Sequence, residues 1–423
     1  MDVNRETRYV MKNGQQSPDP SGDAPDIIYP LLPPAPAAHA AERVQAALRR
    51  GDLSPHGADV KELERRIASY CGRKGAVATS SGTAALHLAL LALGVEEGDL
   101  VAVPDFTYIA TANPVHYARA RPMLVDAEPQ RWGMDPEVLQ QELDKRQRNG
   151  KPLPRALIVT HNFGMPARIG ELEQIAARYG IALVEDAAEA LGSRLDGRAC
   201  GGFGDFSVLS FNANKIVTGS GGGMLLSDDE EALERVRHLM GHARERTGLF
   251  AHDYSHDRTG YNYQMGNLNA ALALAGFERL DERVAAKRRI ALEYASYLSV
   301  DASKHVGVLF DPWRLPQGVE PNYWLNCMSH KHMSYRDRSI MAEWLSEKGI
   351  EIRGFWLPMH HQRPFRGSEM CCNLPGIPQS WNLWNRGLAL PSGLDLGRRD
   401  ISHITGKLLE AFDQVKKEWW DGL

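Results

Sequence analysis

Along this chain, short continuously apolar runs alternate with longer stretches that repeat an apolar residue every three or four positions. Residues 76–79, 100–103, 122–125, 156–159 and 181–184 are the first five runs, and two more follow at 206–209 and 224–226. Runs this short, apolar throughout, predict strands buried on both faces. The helical period predicts helices at 84–93, 109–118 and 169–179, and upstream at 37–50 and 60–70, where Val60, Leu63 and Ile67 share a face. Strands and helices in alternation predict an α/β fold: a mostly parallel sheet covered on both sides.

The rhythm changes further along. Residues 242–260 are polar, rich in His and Arg, and lack a period; they predict a long functional loop or an interface arm. Residues 265–292 read as one long helix, bent at Gly276, that carries the chain out of a large domain. Beyond it come a strand-rich segment at 323–330, a helix at 335–348 and a strand at 350–353. The expected division is a disordered leader at 1–26, a large domain at 27–275 and a smaller C-terminal α+β domain at 276–423. Residues 30–36 form an extended Pro-rich segment.

Composition narrows the classes. The chain has 423 residues and a formal net charge of −4, which gives no reason to expect nucleic-acid binding. No apolar run approaches the ~18 residues of a membrane helix, and the polar N-terminus lacks a secretory h-region. The five cysteines are odd in number and unpatterned, with Cys371 and Cys372 adjacent. They predict reduced thiols and a cytoplasmic protein. The histidines lack ligand spacing, so no metal is expected.

Candidate chemistry falls at strand ends, where open α/β sheets place their ligands. Lys215 stands between the runs 206–209 and 224–226, beside Gly219, Gly221, Gly222 and Gly223. A partly desolvated amine there is suited to forming a Schiff base; taken alone, it also reads as a solvated loop lysine. Ser80-Ser81-Gly82-Thr83 opens a helix directly after a strand, which is either a phosphate cup or an ordinary N-cap. Asp186 follows an apolar strand and reads equally as a partner for a protonated pyridine nitrogen or as a helix cap. Tyr108 reads as a ring that lies on a cofactor or as core. The order of a phosphate cup, an aromatic, an acid and a lysine matches the layout of a pyridoxal-phosphate (PLP) enzyme of the aspartate-aminotransferase type.

The motifs Ser81-Gly-Thr-Ala-Ala-Leu-His87, Val103-Pro-Asp-Phe-Thr-Tyr108, Val184-Glu-Asp-Ala-Ala-Glu189, Ser210-Phe-Asn-Ala-Asn-Lys215, Tyr261-Asn-Tyr263, Asn322-Tyr-Trp324 and Trp356-Leu-Pro-Met-His360 make the match more specific. With them the chain resembles the DegT/DnrJ/StrS family of PLP-dependent sugar aminotransferases. The resemblance implies the PLP-transferase type I three-layer fold. It also implies that Lys215 holds the cofactor covalently and relays protons, and that Asp186 pairs with the pyridinium. Glu189 would contact the ring hydroxyl and Tyr108 would stack on the ring. Gly82, Thr83 and Ser210 would bind the phosphate. Asn262 would reach a neighbouring subunit's phosphate, which implies a homodimer with shared sites. Trp324, Arg353 and His360 are expected on the substrate side. The implied reaction moves an amino group from L-glutamate to a keto sugar, expected to be nucleotide-linked and of the 4-keto-6-deoxy kind. A cyclitol ketone, an aminoshikimate-type synthesis or a non-catalytic PLP-binding regulator are the alternatives.

Overall fold

A computed structural model of the protein describes residues 8–9, 26–245, 254–298, 307–308, 315–330, 332–373 and 376–420. Most of the expected leader, and His252 in the expected loop, lie outside them.

The apolar runs form the strands they predict. They are β1 Gly75–Thr79, β2 Leu100–Pro104, β3 Arg121–Val125, β4 Ala156–Thr160, β5 Ala182–Asp186, β6 Phe206–Ser210 and β7 Gly223–Ser227. Five further strands matter here: β8 Gly307–Val308, β9 Asn326–Ser329, β10 Arg353–Gly354, β11 Glu369–Cys371 and β12 Gly387–Leu390. One eight-stranded sheet runs in the order β11-β3-β2-β4-β5-β6-β7-β1, and a four-stranded sheet runs β8-β9-β12-β10. In the large sheet only β7 is antiparallel to its neighbours.

Both faces of the large sheet are buried, by the strand period of two. Val77, Val101, Val103, Ile158, Val184 and Val208 face one way. There they meet α3 (Gly82–Ala92), α4 (Ile109–Tyr117) and α7 (Glu230–Met240). Ala102, Leu157, Val159 and Leu183 face the other way, towards α5 (Pro136–Arg148) and α6 (Ile169–Tyr179). On that side α2 (Ala58–Cys71) and α8 (Asn267–Phe277) cover Ala76, Ala78, Leu209 and Met224. The result is the three-layer type I fold. The small sheet packs against α9 (Leu280–Leu298), α10 (Tyr335–Ser346) and α12 (Arg398–Trp420) through Ile290, Met328, Met341, Leu388 and Ile404. Strand β11 returns from the C-terminal third of the chain to the edge of the large sheet, where Arg146 of α5 grips Glu369.

Three expectations need correction. The helix expected at 265–292 is two helices, α8 and α9, separated at Glu278 and Arg279 rather than bent at Gly276. Glu278 is drawn out to His39, Arg43 and Arg66, which fixes the break. Gly276 serves close packing instead, because a Cβ there would stand 3.3 Å from Val217 Cγ1. The strand expected at 350–353 begins only at Arg353. Residues 350 and 351 bond to the lead-in segment instead, through Glu351 N–H to Tyr29 O at 3.0 Å. The 242–260 stretch is not wholly irregular: Arg244 and His256 form an antiparallel bridge across it.

Candidate active site

The carboxyl ends of β1, β4, β5 and β6 open into a cavity of about 1130 Å³. Gly82, Thr83, Tyr108, Asp186, Glu189, Ser210, Lys215, Trp324 and Arg353 all line it. Asn262 and His360 do not.

The floor is Asp186, the last residue of β5. Its Oδ2 accepts from Thr111 Oγ1 at 2.8 Å and its Oδ1 from Ala188 N–H at 3.1 Å. Thr107 Oγ1 lies 2.9 Å from Thr111 Oγ1, so a pair of hydroxyls supports the carboxylate from below. Burial pushes the Asp186 carboxyl above the usual carboxylate range, opposed by those hydrogen bonds and by the charge of Lys215. A protonated ring nitrogen placed on it would restore the ionised form.

Lys215 is held from two sides. Glu189 Oε1 lies 3.3 Å from its Nζ, and the Nζ sits 4.0 Å from the centre of the Trp324 ring. Trp324 in turn is fixed at its indole N–H, which donates to Asn214 O at 2.9 Å, and at its backbone N–H, which donates to Asn322 Oδ1 at 2.8 Å. The Asn322 amide donates to the carbonyls of Glu189 and Leu191, both at 2.9 Å. Glycine is required at position 164, since a Cβ there would stand 1.9 Å from Asn322 Oδ1 and φ is +87°. Glu189 closes this network by accepting from Phe163 N–H at 2.8 Å. Burial raises the Glu189 carboxyl too, against the pull of Lys215. Phe163 adopts φ 57°, a conformation disfavoured for a bulky residue, and stacks on Trp356 at 4.4 Å and 20°.

An anion cup lies at the start of α3. Ser81 Oγ accepts from Ala84 N–H at 3.0 Å, and the first-turn N–H groups of Gly82 and Thr83 have no intrahelical acceptor. Ser210, at the end of β6, closes the cup: a Cβ on Gly82 would come 3.3 Å from Ser210 Cβ. Strand β7 approaches so closely that a Cβ on Gly223 would meet Gly82 N at 2.5 Å. Helix-start dipoles and N–H groups attract a phosphate here.

At the mouth, Arg353 donates from Nε to Glu351 Oε1 at 2.9 Å, and Glu351 Oε2 accepts from Leu31 N–H at 2.9 Å. Tyr108 is 55% exposed, with its ring centre 6.2 Å from that of Trp356. Two buried polar atoms of cavity-lining residues, Thr160 Oγ1 and Asn214 Oδ1, find no partner among the described residues. Such atoms are expected where a ligand completes the hydrogen bonding. Together the residues fit a phosphate ester at α3, a cationic heterocycle on Asp186 and a carbonyl carbon at Lys215.

The two residues outside the cavity have clear surroundings. Asn262 is exposed and bridges Gly241, while the next residue, Tyr263, accepts from Ser80 N–H at 2.7 Å. Asn262 thus sits on the outer side of the cup. His360 donates from Nδ1 to Asp105 Oδ2 at 2.6 Å, and its backbone N–H donates to Asp105 Oδ1 at 2.9 Å. Asp105 is fully buried and also takes the Ser380 hydroxyl, so it draws the histidine towards α11 (Gln379–Arg386) and away from the cavity wall.

Thr111, Asn322, Thr160, His161 and Phe163 were not singled out as site residues in the sequence. The polar pair Thr160-His161 directly after an apolar strand is the signal that could have marked two of them. His161, Glu185 and Cys200 stand close enough to share a metal ion, but His161 and Glu185 are engaged in hydrogen bonds. His161 Nδ1 accepts from Ala167 N–H, so Nε2 carries the proton donated to Glu185 Oε1 at 2.8 Å. Glu185 also accepts from Gly201 and Phe203 N–H, and burial pushes the Cys200 thiol up.

A model of the DegT/DnrJ/EryC1/StrS aminotransferase family matches residues 35–409. The chain is 38% identical over 395 residues to a putative pyridoxal phosphate-dependent aminotransferase, EpsN, of Bacillus subtilis, covering 93% of this chain and 98% of that one. It is 32% identical to the GDP-perosamine synthase of Escherichia coli O157:H7, covering 90% and 98%. Among solved structures, a DegT DnrJ EryC1 StrS aminotransferase from Brucella abortus superimposes with a TM-score of 0.79 at 27% identity, covering 88% and 95%.

Proposed function

The chain belongs to the DegT/DnrJ/EryC1/StrS aminotransferase family and is a PLP-dependent aminotransferase acting on a sugar, and we propose that its acceptor is a nucleotide-linked 4-keto-6-deoxy sugar and its donor L-glutamate. The observation that carries this reading is the Lys215 amine, held between Glu189 and Trp324 in a cavity of about 1130 Å³ whose floor is Asp186. The GDP-perosamine synthases among the relatives support a nucleotide sugar as acceptor.

When bound, PLP supplies an electron sink for the carbon that loses its proton. Lys215 Nζ would hold the cofactor at its carbonyl carbon and would move the proton at the substrate carbon. Glu189 keeps that amine on station. Asp186 holds a proton on the ring nitrogen by charge, and Thr111 and Ala188 keep the carboxylate aimed. Gly82, Thr83 and Ser210 take the phosphate. Tyr108 covers the ring and, with Phe163 and Trp356, keeps water from it. Arg353 meets the carboxylate or phosphate of the two substrates in turn. Asn262, exposed outside its own cavity, supplies the partner subunit's phosphate cup in a homodimer.

The test is to load the protein with pyridoxamine phosphate and offer keto sugars with and without a nucleotide. Recovery of the cofactor's visible absorption only with the nucleotide-linked ketones supports the proposal. Equal recovery with the free ketones removes the nucleotide from it.

A further inference from the structure

Helix α9 carries two basic side chains into the core on one face, and burial, with Arg283 nearby, lowers the Lys287 amine to about 7. Arg283 is 7% exposed and Lys287 2%, four residues apart, and the fully buried Tyr294 follows on the same side. The partners found for both basic groups among the described residues are backbone carbonyls, not carboxylates. Arg283 Nη1 donates to Ile216 O at 3.1 Å. Lys287 Nζ donates to Trp324 O at 3.0 Å and to Ser392 O. Tyr294 Oη donates to Pro391 O at 2.9 Å. Burying a basic group without a counter-charge is unfavourable, and neutral donors would serve carbonyls at less cost.

The carbonyls chosen matter more than their number. Ile216 directly follows Lys215. Asn214 directly precedes it, and its carbonyl is held by the indole of Trp324, the residue Lys287 grips. A single helix behind the site therefore fixes the chain on both sides of Lys215, once directly and once through the aromatic on which the amine rests. Ser392, the other Lys287 partner, also receives Asn326 N–H at 2.9 Å on its hydroxyl, which ties the small sheet to the same point.

We propose that Arg283 and Lys287 are positioning residues that set where the Lys215 amine stands, by holding Ile216 directly and Asn214 by way of Trp324. This rests on Lys215 being the reactive amine. Neither Arg283 nor Lys287 lines the cavity. Their effect is on the placement of Nζ, and a displacement of about 1 Å costs ~100-fold in rate.

The experiment compares wild type, Lys287→Met and Arg283→Met, each also in a Trp324→Ala background. Wild type is first reduced with borohydride in the presence of PLP and mapped; a label elsewhere than Lys215 defeats the active-site reading itself. With the label on Lys215, the rate at which each apo-protein takes up PLP is followed by absorbance, and kcat and KM are measured separately. The expected result is a loss of about 10- to 100-fold in uptake rate and kcat, with KM for the acceptor changed less than about threefold. In the Trp324→Ala background the loss from Lys287→Met should largely vanish, because that route is already cut. Arg283→Met should keep its effect there. If Lys287→Met does not accumulate as folded protein, Lys287→Gln, which retains an uncharged donor, takes its place and should show a smaller loss in the same two quantities. Variants that melt earlier but match wild type in uptake rate and kcat, or losses at Lys287 and Trp324 that simply add, overturn the proposal.

Discussion

Asp186 and Glu189 are two buried carboxyls facing one amine, and their protonation sets how the site responds to pH. Burial raises both above the ~4 at which unfolded carboxyls ionise. With raised folded values the unfolded chain gives up its protons first, so the ligand-free protein loses stability as pH rises through the folded values. A cation on Asp186 relieves that penalty. The gain in melting temperature on adding PLP should therefore grow as pH rises from the ordinary carboxylate range through the raised folded values; a gain that does not change with pH contradicts the pairing. Position 164 gives a second residue-scale test. Gly164→Ala should push Asn322 from its bonds to Glu189 and Leu191 and lower stability by about 1–3 kcal/mol, read by urea unfolding, with kcat falling as Trp324 loosens. Unchanged kcat would separate Asn322 from the amine. At this scale Lys215 and Asp186 were legible because each stands just past an apolar strand. Thr111 and Asn322 were not, because their roles come from contacts 75 and 133 residues away.

Elements show a different balance between sequence and structure. The strands were readable because burial on both faces leaves their sequences apolar without a break. Helix α5 was not readable: only Val138, Leu139 and Leu143 supply an aliphatic buried face in an otherwise polar stretch. Helices α8 and α9 looked like one because the break at Glu278 and Arg279 uses good helix formers, and the ion pairs that fix it come from α1 (Ala40–Arg49) and α2. Helix α10 begins with a capping box, in which Ser334 Oγ accepts from Asp337 N–H and Asp337 accepts from Ser334 N–H. Ser334→Ala should cost about 1 kcal/mol in urea unfolding and leave turnover unchanged, since the box lies in the small-sheet layer. A loss of turnover would mean that this layer governs the site more closely than its contacts indicate.

For the whole molecule, the site is assembled from both sheets and from the lead-in segment. Leu31 is hydrogen-bonded to Glu351 and Ser392, and the cavity wall includes Leu31, Glu351 and Arg353. Asn262 does not line the cavity of its own chain. In the proposed dimer, Lys215→Ala and Asn262→Ala damage different halves of a shared site. Mixing the two inactive or weakened variants under conditions that let subunits exchange should restore activity, because one site of each hybrid carries both native residues. Activity no greater than the sum of the separate variants would remove the shared site.

The most direct test of the account is chemical. Borohydride reduction of the PLP-loaded protein, followed by digestion and mass mapping, should place one pyridoxyl group on Lys215 and none on Lys287 or any other amine. A label on another lysine, or no stable label at all, would contradict the assignment on which the site, its floor at Asp186 and its brace in α9 all depend.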